Sequence, residues 1–252
     1  MYEECPVIRN DILCNGYKRL TIAAGRVARQ AEPGRFVMLK CWEGNDPFFM
    51  RPFSINSVDS KAELMDILYK VRGRGTQLMA QVEQHSTIQV MGPLGHGFPL
   101  DPSHRTIALL GRGIGAAPLR FLAERARSMD MEVHVLLSAS KPEYLFDSAA
   151  LSAIGAEVYA TCDPDENIAE TLESLMRRTP VDAAYSCGSN RVMRGLSDIH
   201  KKYRIPCYVS LEERMGCGVG ACKSCNCKTT DSEDEVCICK EGPVFPVERI
   251  CK

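Results

Sequence analysis

The chain has 252 residues, 45% of them hydrophobic and 25% charged, with a formal net charge of −1 at pH 7. Such a length and composition describe a soluble globular protein, either one large domain or two ordinary ones with an appendage. The near-neutral balance gives no electrostatic case for nucleic acid or an anionic membrane as partner, and no apolar run approaches the roughly 18 residues of a membrane span.

The N-terminus, MYEECPVIRNDILCNG, carries charges at Glu3, Glu4, Arg9 and Asp11 and has no apolar core, so it does not read as a secretory leader. A cytoplasmic protein with reduced thiols is expected. From Tyr17 to about Pro99 the chain breaks into short β segments bounded by turn residues: YKRLTIAA, GRFVMLKCW, PFSINSV, ELMDILYKV and STIQVMG. This pattern predicts an antiparallel barrel or sandwich, with one short helix from GTQLMAQVEQ after Gly75.

Three motifs fall in this half. In Arg51-Pro52-Phe53-Ser54 the arginine offers a planar fork of donors to a pyrophosphate, and the serine offers a hydroxyl to a ring or ribose. Gly73-Arg74-Gly75-Thr76 follows a strand and opens the short helix, where backbone amides can close on a phosphate. Gly92-Pro93-Leu94-Gly95-His96-Gly97-Phe98 is a glycine-rich turn at the end of the half. Taken singly, each is more often a structural turn than a site.

From Arg105 the period changes. The apolar run TIALLG feeds Gly111-Arg112-Gly113-Ile114-Gly115-Ala116-Ala117-Pro118 and then the helical LRFLAERARSM. Strand, glycine turn and helix form the setting of a dinucleotide-binding fingerprint, with glycines spaced G-x-G-x-G. Strands MEVHVLLSAS, AEVYATC, DAAYSCG and PCYVSLE then alternate with helices near Glu143–Ile154, Asn167–Arg178 and Arg191–Lys202. That alternation predicts a parallel sheet with crossover helices. Its ligand would lie at the carboxyl ends of the strands, placing Gly111 to Pro118 and Cys187-Gly188-Ser189-Asn190 on one rim. Cys187 reads either as a small buried hydrophobe or as a neighbour of a nicotinamide ring. No histidine is placed to activate it as a nucleophile.

The chemistry concentrates at the C-terminus. Seven of the 13 cysteines, Cys217, Cys222, Cys225, Cys227, Cys237, Cys239 and Cys251, lie beyond residue 216. Cys217-x4-Cys222-x2-Cys225 has the spacing with which plant-type ferredoxins hold a [2Fe–2S] cluster, the fourth thiolate arriving from a distant segment. Spacing leaves Cys237 and Cys239 as alternatives for that fourth position. Structural zinc ordinarily takes paired two-residue knuckles, of which only Cys222-x2-Cys225 is present. Full disulfide pairing conflicts with an odd cysteine count.

The order RPFS, GxGT, GPLGHGF, glycine fingerprint, CG and Cys-x4-Cys-x2-Cys resembles the ferredoxin-NADP reductase superfamily over essentially the whole chain. Within that superfamily, GPLGHGF, ERMGCGVGAC and CKEGPVF resemble the electron-transfer subunits of dihydroorotate dehydrogenase B. The resemblance implies a multidomain α/β plus all-β architecture: an FAD-binding antiparallel β-barrel (1–100), an NAD-binding parallel α/β domain (101–210) and a small [2Fe–2S] domain (211–252). It implies FAD around Arg51, Pro52, Phe53, Ser54, Leu68, Tyr69, Lys70, Gly75 and Thr76. A nicotinamide nucleotide is implied at Gly111, Gly113, Gly115, Cys187 and Gly188. The cluster falls to Cys217, Cys222, Cys225 and Cys239, the last because the family's fourth ligand precedes K-[DE]-G-P-V-F.

The sequence departs from the family at Arg112, in place of a middle glycine, and at Ser140, where relatives often carry the arginine that reads a 2′-phosphate; NAD is therefore expected. A hydride carrier and a one-electron cluster need a flavin between them, so the resemblance implies electron transfer between NAD and an FMN-type dihydroorotate dehydrogenase catalytic subunit. No side chain is nominated as acid or base. Two other readings remain. One is an NAD(P)H-dependent reductase subunit of another redox complex, of the ferredoxin transhydrogenase or sulfite reductase type. The other is a cluster-bearing binding or sensor module whose nucleotide site has decayed.

Overall fold

The computed structural model describes residues 1–229 and 235–250. Cys251, counted above among the C-terminal cysteines, lies outside them. Seven strands build the first half: β1 (Tyr2–Cys14), β2 (Tyr17–Ala23), β3 (Phe36–Lys40), β4 (Arg51–Ser54), β5 (Ser57–Asp59), β6 (Leu64–Lys70) and β7 (Thr87–Leu94). Their order is β4-β3-β7-β1-β2-β6-β5, and every pairing is antiparallel. The first and last strands in that order are consecutive in the chain. The step through Ile55 and Asn56, whose amide donates to the Asp66 carbonyl at 2.9 Å, therefore closes the sheet into a barrel. Its interior is filled by Val7, Leu20, Ile22, Val37, Leu39, Ile67, Tyr69, Ile88 and Val90.

Two features of this half differ from the expectation. The segment PFSINSV forms two strands, because Ile55 and Asn56 turn the corner between the two ends of the sheet. The N-terminal segment, for which no strand was predicted, is the longest strand and lies at the centre, pairing β7 through residues 2–6 and β2 through residues 7–14. Pro6 and its scattered charges break the alternation by which a strand is recognised in sequence. One of those polar residues has a structural task. Asn10 donates to the carbonyls of Met79 and Val82 and accepts from the buried Tyr69 hydroxyl at 2.9 Å, tying helix ends to the barrel. The two helices of this half are α1 (Gly25–Gln30) and α2 (Arg74–Ala80), the second as expected.

The second half follows the predicted alternation. Strands β8 (Thr106–Arg112), β9 (Glu132–Ser138), β10 (Glu157–Thr161), β11 (Ala183–Cys187) and β12 (Cys207–Ser210) pair in parallel in the order β10-β9-β8-β11-β12. Between them run α3 (Leu119–Arg127), α4 (Ser148–Ala153), α5 (Ile168–Met176) and α6 (Asn190–Tyr203). Six successive residues of β8 are buried, as a strand covered by helices on both faces requires. The amphipathic α3 turns Leu119, Leu122, Ala123 and Ala126 to the sheet. α6 starts at Ser189, whose hydroxyl caps the Val192 amide.

After β12 the chain forms the cysteine loop, a hairpin of β13 (Asn226–Lys228) and β14 (Glu235–Cys237), and the short α7 (Ile238–Glu241). It then returns: β15 (Val244–Pro246) adds antiparallel to β12, and α8 (Val247–Ile250) follows. The cysteine region also rests on the barrel, where Phe36 and Met38 of β3 share one apolar core with Cys225, Cys237, Ile238, Cys239 and Phe245. No helix among the described residues is long and apolar enough to cross a membrane.

Candidate redox centre

Between barrel and parallel sheet lies a cavity of about 250 Å3. Pro52, Phe53 and Ser54 of β4 and Leu68, Tyr69 and Lys70 of β6 form its barrel wall; Ile114, Ala117 and Pro118 form the opposite one. Apolar side chains on both walls, with the polar groups of Ser54, Tyr69, Lys70, Ser210, Glu212 and Glu213 among them, suit a planar heteroaromatic ring. Arg51 stands outside this wall. Its Nη1 donates to the Phe49 carbonyl at 2.6 Å, and its guanidinium lies 5.8 Å from the Trp42 ring centre. It abuts Gly75, where a Cβ would come within 3.0 Å of Arg51 Nε. Arg51 and Gly75, two of the residues implied for FAD, are thus neighbours, and Thr76 follows Gly75 in the first turn of α2. The Thr76 hydroxyl, however, accepts from the Arg72 and Gly73 amides and donates to the Gly73 carbonyl, so it is fully engaged in its own turn.

The two glycine motifs of the parallel sheet come into direct contact. A Cβ on Gly115 would lie 2.8 Å from the Cys187 carbonyl oxygen and 2.8 Å from Gly188 Cα, while one on Gly188 would lie 2.7 Å from Gly115 Cα. At Gly111 a Cβ would lie 2.6 Å from that of Ala116. Gly113, at φ +52°, faces open space. Glycine is therefore required at 111, 115 and 188 for chain to approach chain; Gly111 and Gly115 are buried by that approach, whereas Gly188 is exposed and Gly113 half-buried on the rim. Arg112 is exposed and makes no hydrogen bond or ion pair among the described residues.

A second cavity of about 290 Å3 runs along this rim past Ser186 to Asn190, and shares Ser210, Leu211, Glu212 and Glu213 with the first. This common wall was missed in the sequence reading, although its position just beyond the carboxyl end of a parallel strand could have signalled it. Glu212 keeps an exposed face, yet the protein around it raises its carboxyl above the usual range by desolvation. Cys187 is 2% exposed, and burial pushes its thiol up to about 12, so it is no thiolate nucleophile.

The cysteine loop begins at the first cavity: Met215 lines it and Cys217 follows two residues on. Cys225, Cys237 and Cys239 are buried, their sulfurs within 4.8 Å of one another, whereas Cys222 is exposed. The sulfurs differ in their hydrogen-bonding neighbours. The Val219 and Cys222 amides donate to Cys217 Sγ, the Cys239 amide to Cys225 Sγ, and the Gly220 amide to Cys239 Sγ at 3.1 Å. Ser224 lies 3.1 Å from Cys222 Sγ, and its hydrogen bonds lower that thiol to about 6. Around Cys237 Sγ the hydrogen-bonding neighbours are the thiols of Cys225 and Cys239, at 3.6 and 3.7 Å, and burial raises it. Amide donors aimed at sulfur are what an anionic iron–sulfur centre needs. The donor set therefore fits the group.

Two further sequence signatures meet each other. The His96 amide of GPLGHGF donates to the Gly242 carbonyl of CKEGPVF at 2.6 Å, and a Cβ on Gly95 would lie 2.5 Å from that oxygen. These motifs join barrel, sheet and cysteine region.

The architecture has known counterparts. It is similar to a solved NADH-dependent reduced ferredoxin-NADP oxidoreductase, described for flavin-based electron bifurcation (TM-score 0.85, 22% identity, covering 98% of this chain and 89% of that one). It is also similar to a ferredoxin NADP+ reductase from Neisseria gonorrhoeae with bound FAD and NADP (TM-score 0.62, 20% identity, 78% and 91% covered). The fold is thus that of the ferredoxin-NADP reductases, extended by a cysteine-rich domain. Residues 212–251 match the model of the iron-sulfur cluster binding domain of dihydroorotate dehydrogenase B. The chain is 35% identical over 248 residues to the dihydroorotate dehydrogenase B (NAD(+)) electron transfer subunit of Geobacillus thermodenitrificans, with 96% of both chains covered. It is 38% identical over 229 residues to that of Desulforamulus reducens, with 87% of both covered. It belongs to the family of dihydroorotate dehydrogenase B electron transfer subunits.

Proposed function

We propose that this chain carries electrons between the dihydroorotate dehydrogenase catalytic subunit and NAD+, with residues 1–100 holding FAD, 101–210 the nicotinamide nucleotide and 211–252 a [2Fe–2S] cluster. The observation that carries this reading is continuity. Met215 is a wall of the ring cavity, Cys217 lies two residues away, and Cys222 of the same loop reaches the surface.

When bound, FAD accepts or gives a hydride at the nicotinamide side and single electrons at the cluster side, which the two other groups cannot do for each other. The residues of the chain provide the setting. Pro52 to Ser54 and Leu68 to Lys70 hold the ring against Ile114, Ala117 and Pro118, and Arg51 with the Gly75–Thr76 turn receives the pyrophosphate. Gly113 and Gly188 present backbone to the nicotinamide nucleotide, and the buried Gly111, Gly115 and Cys187 hold the two turns together beneath them. Cys217, Cys222, Cys225 and Cys239 ligate iron, their negative charge held by the amides of Val219, Gly220, Cys222 and Cys239. The buried apolar floor at Phe36, Met38 and Phe245 excludes water and oxygen from beneath the loop. A cytoplasmic location agrees with the twelve described cysteines, all of which are free.

Among the described residues no side chain is assigned as a base for abstracting a proton from dihydroorotate. Purified chain mixed with dihydroorotate and NAD+ yields no NADH until the catalytic subunit is added, and the two then elute together. Turnover of dihydroorotate by the isolated chain would overturn the proposal, and so would failure to bind that subunit.

A further inference from the structure

Barrel and parallel sheet are joined through one carboxylate. Asp147 precedes α4 in the N-cap position with φ +61°, in the left-handed region where an aspartate is strained. An aspartate there ordinarily turns its oxygens to the first amides of its own helix. Asp147 makes no such bond. Its side chain is 5% exposed, and both oxygens point across the domain boundary. Oδ1 pairs with Arg19 of β2 and with Arg120 of α3, the latter at 3.5 Å. Oδ2 accepts from Asn56 Nδ2 at 2.8 Å.

Asn56, wholly buried, passes the connection on. The same Nδ2 donates to the Ala117 carbonyl at 2.7 Å, and Ala117 is a wall of the ring cavity. With both amide hydrogens committed, Asn56 Oδ1 is left buried without a hydrogen-bond partner, as is Nε of Arg19. Leaving such atoms unmet is costly. Just before Asp147, Tyr144 and Phe146 stack on Tyr17 of the barrel with ring centres 4.9 Å away in both cases, and Lys70, which lines the cavity, lies over Tyr17 at 5.2 Å.

A lost cap, a strained backbone and orphaned polar atoms all lie on one path that ends at the cavity wall. We propose that Asp147 and Asn56 are positioning residues for hydride exchange: they clamp the Ile114–Pro118 wall at a fixed separation from β4 and β6, and so set the distance between flavin and nicotinamide. This inference rests on the function proposed above. Arg19 and Arg120 face Asp147 directly; Glu124, paired to Arg120 at 2.9 Å, and Asp66, held by Thr21, lie beyond them.

The test uses the anaerobic holo chain, with Asp147→Asn, which removes the charge but keeps the shape, and Asn56→Ser, which leaves the ion pairs intact. In stopped flow with NADH, the limiting rate of flavin reduction falls about tenfold to a hundredfold in each variant, the loss expected for an ångström-scale misplacement. Apparent NADH affinity and FAD content stay near wild type. Hydrogen–deuterium exchange of the amides of residues 113–118 accelerates in both. A lower melting temperature with an unchanged limiting rate and unchanged exchange would reduce the clamp to structural cement and overturn the proposal. Should Asp147→Asn not retain FAD, Asn56→Ser carries the same comparison. If wild type itself is not reduced by NADH, the functional reading fails, while the exchange measurement still decides the clamp.

Discussion

Replacing Gly115 by alanine tests whether the nucleotide rim is held by the contact between its two glycine motifs. The added Cβ would sit 2.8 Å from the Cys187 carbonyl oxygen and 2.8 Å from Gly188 Cα. Ordinary carbon–carbon contact begins near 3.5 Å, so the shortfall is about 0.7 Å. Both obstructing atoms are backbone, and no flexible side chain can move aside; the β11–α6 turn itself must shift. Overpacking of this kind costs roughly 1–3 kcal/mol. At about 2–4 °C per kcal/mol for a chain of this size, the melting temperature falls by about 2–12 °C. Because the turn carries Cys187 and Gly188, its displacement also slows flavin reduction by NADH. Gly113→Ala is the contrast: its methyl meets nothing within 4 Å, so it bears only left-handed strain of about 1–2 kcal/mol and leaves Cys187 in place. Thermal unfolding by circular dichroism and stopped-flow reduction measure the two effects. A Gly115→Ala protein with native melting temperature and native reduction rate would refute the argument.

Serine at Cys217, Cys222, Cys225 or Cys239 abolishes the cluster, measured as loss of about two iron and two sulfide per chain, whereas serine at Cys237 or Cys227 retains it. Loss of iron in the Cys237 variant with retention in the Cys239 variant would reverse the choice of ligand. Arg51→Ala removes a charge-assisted contact worth roughly 1.5–3 kcal/mol, a ten- to hundredfold loss of FAD affinity, and gives flavin-poor protein of native far-ultraviolet spectrum; full FAD occupancy after dialysis would make the arginine structural. Phe48 and Phe49 are 70% and 49% exposed, and Phe49 abuts Gly216 of the cysteine loop, so Phe48→Ser with Phe49→Ser weakens catalytic-subunit binding tenfold or more by about the weight of one aromatic anchor. FAD, iron and NADH-dye reduction remain; co-elution as in wild type would exclude these rings from the interface.

Much of this protein is written locally. The change from alternating segments to buried apolar runs near Arg105 announces a barrel followed by a parallel sheet, because burial on one face or two leaves its mark on adjacent residues. Cys217-x4-Cys222-x2-Cys225 is legible for the same reason: the three proposed ligands share one loop, and their spacing is chain geometry. A fourth sulfur would arrive from a distant segment, so spacing left Cys237 and Cys239 equal; that the Gly220 amide points at Cys239 Sγ, and that both thiols lie beside Cys225, is visible only in the folded chain. β1 was hidden in part because its Asn10 answers to partners 59 to 72 positions away. The same holds for Gly115 against Gly188, for Gly95 against Gly242, and for the path from Asp147 through Asn56 to Ala117. Each glycine in sequence says only that a side chain is not tolerated. What crowds it out, and whether the bare backbone serves a ligand or another strand, depends on which segments meet, and that is settled by packing across the whole chain.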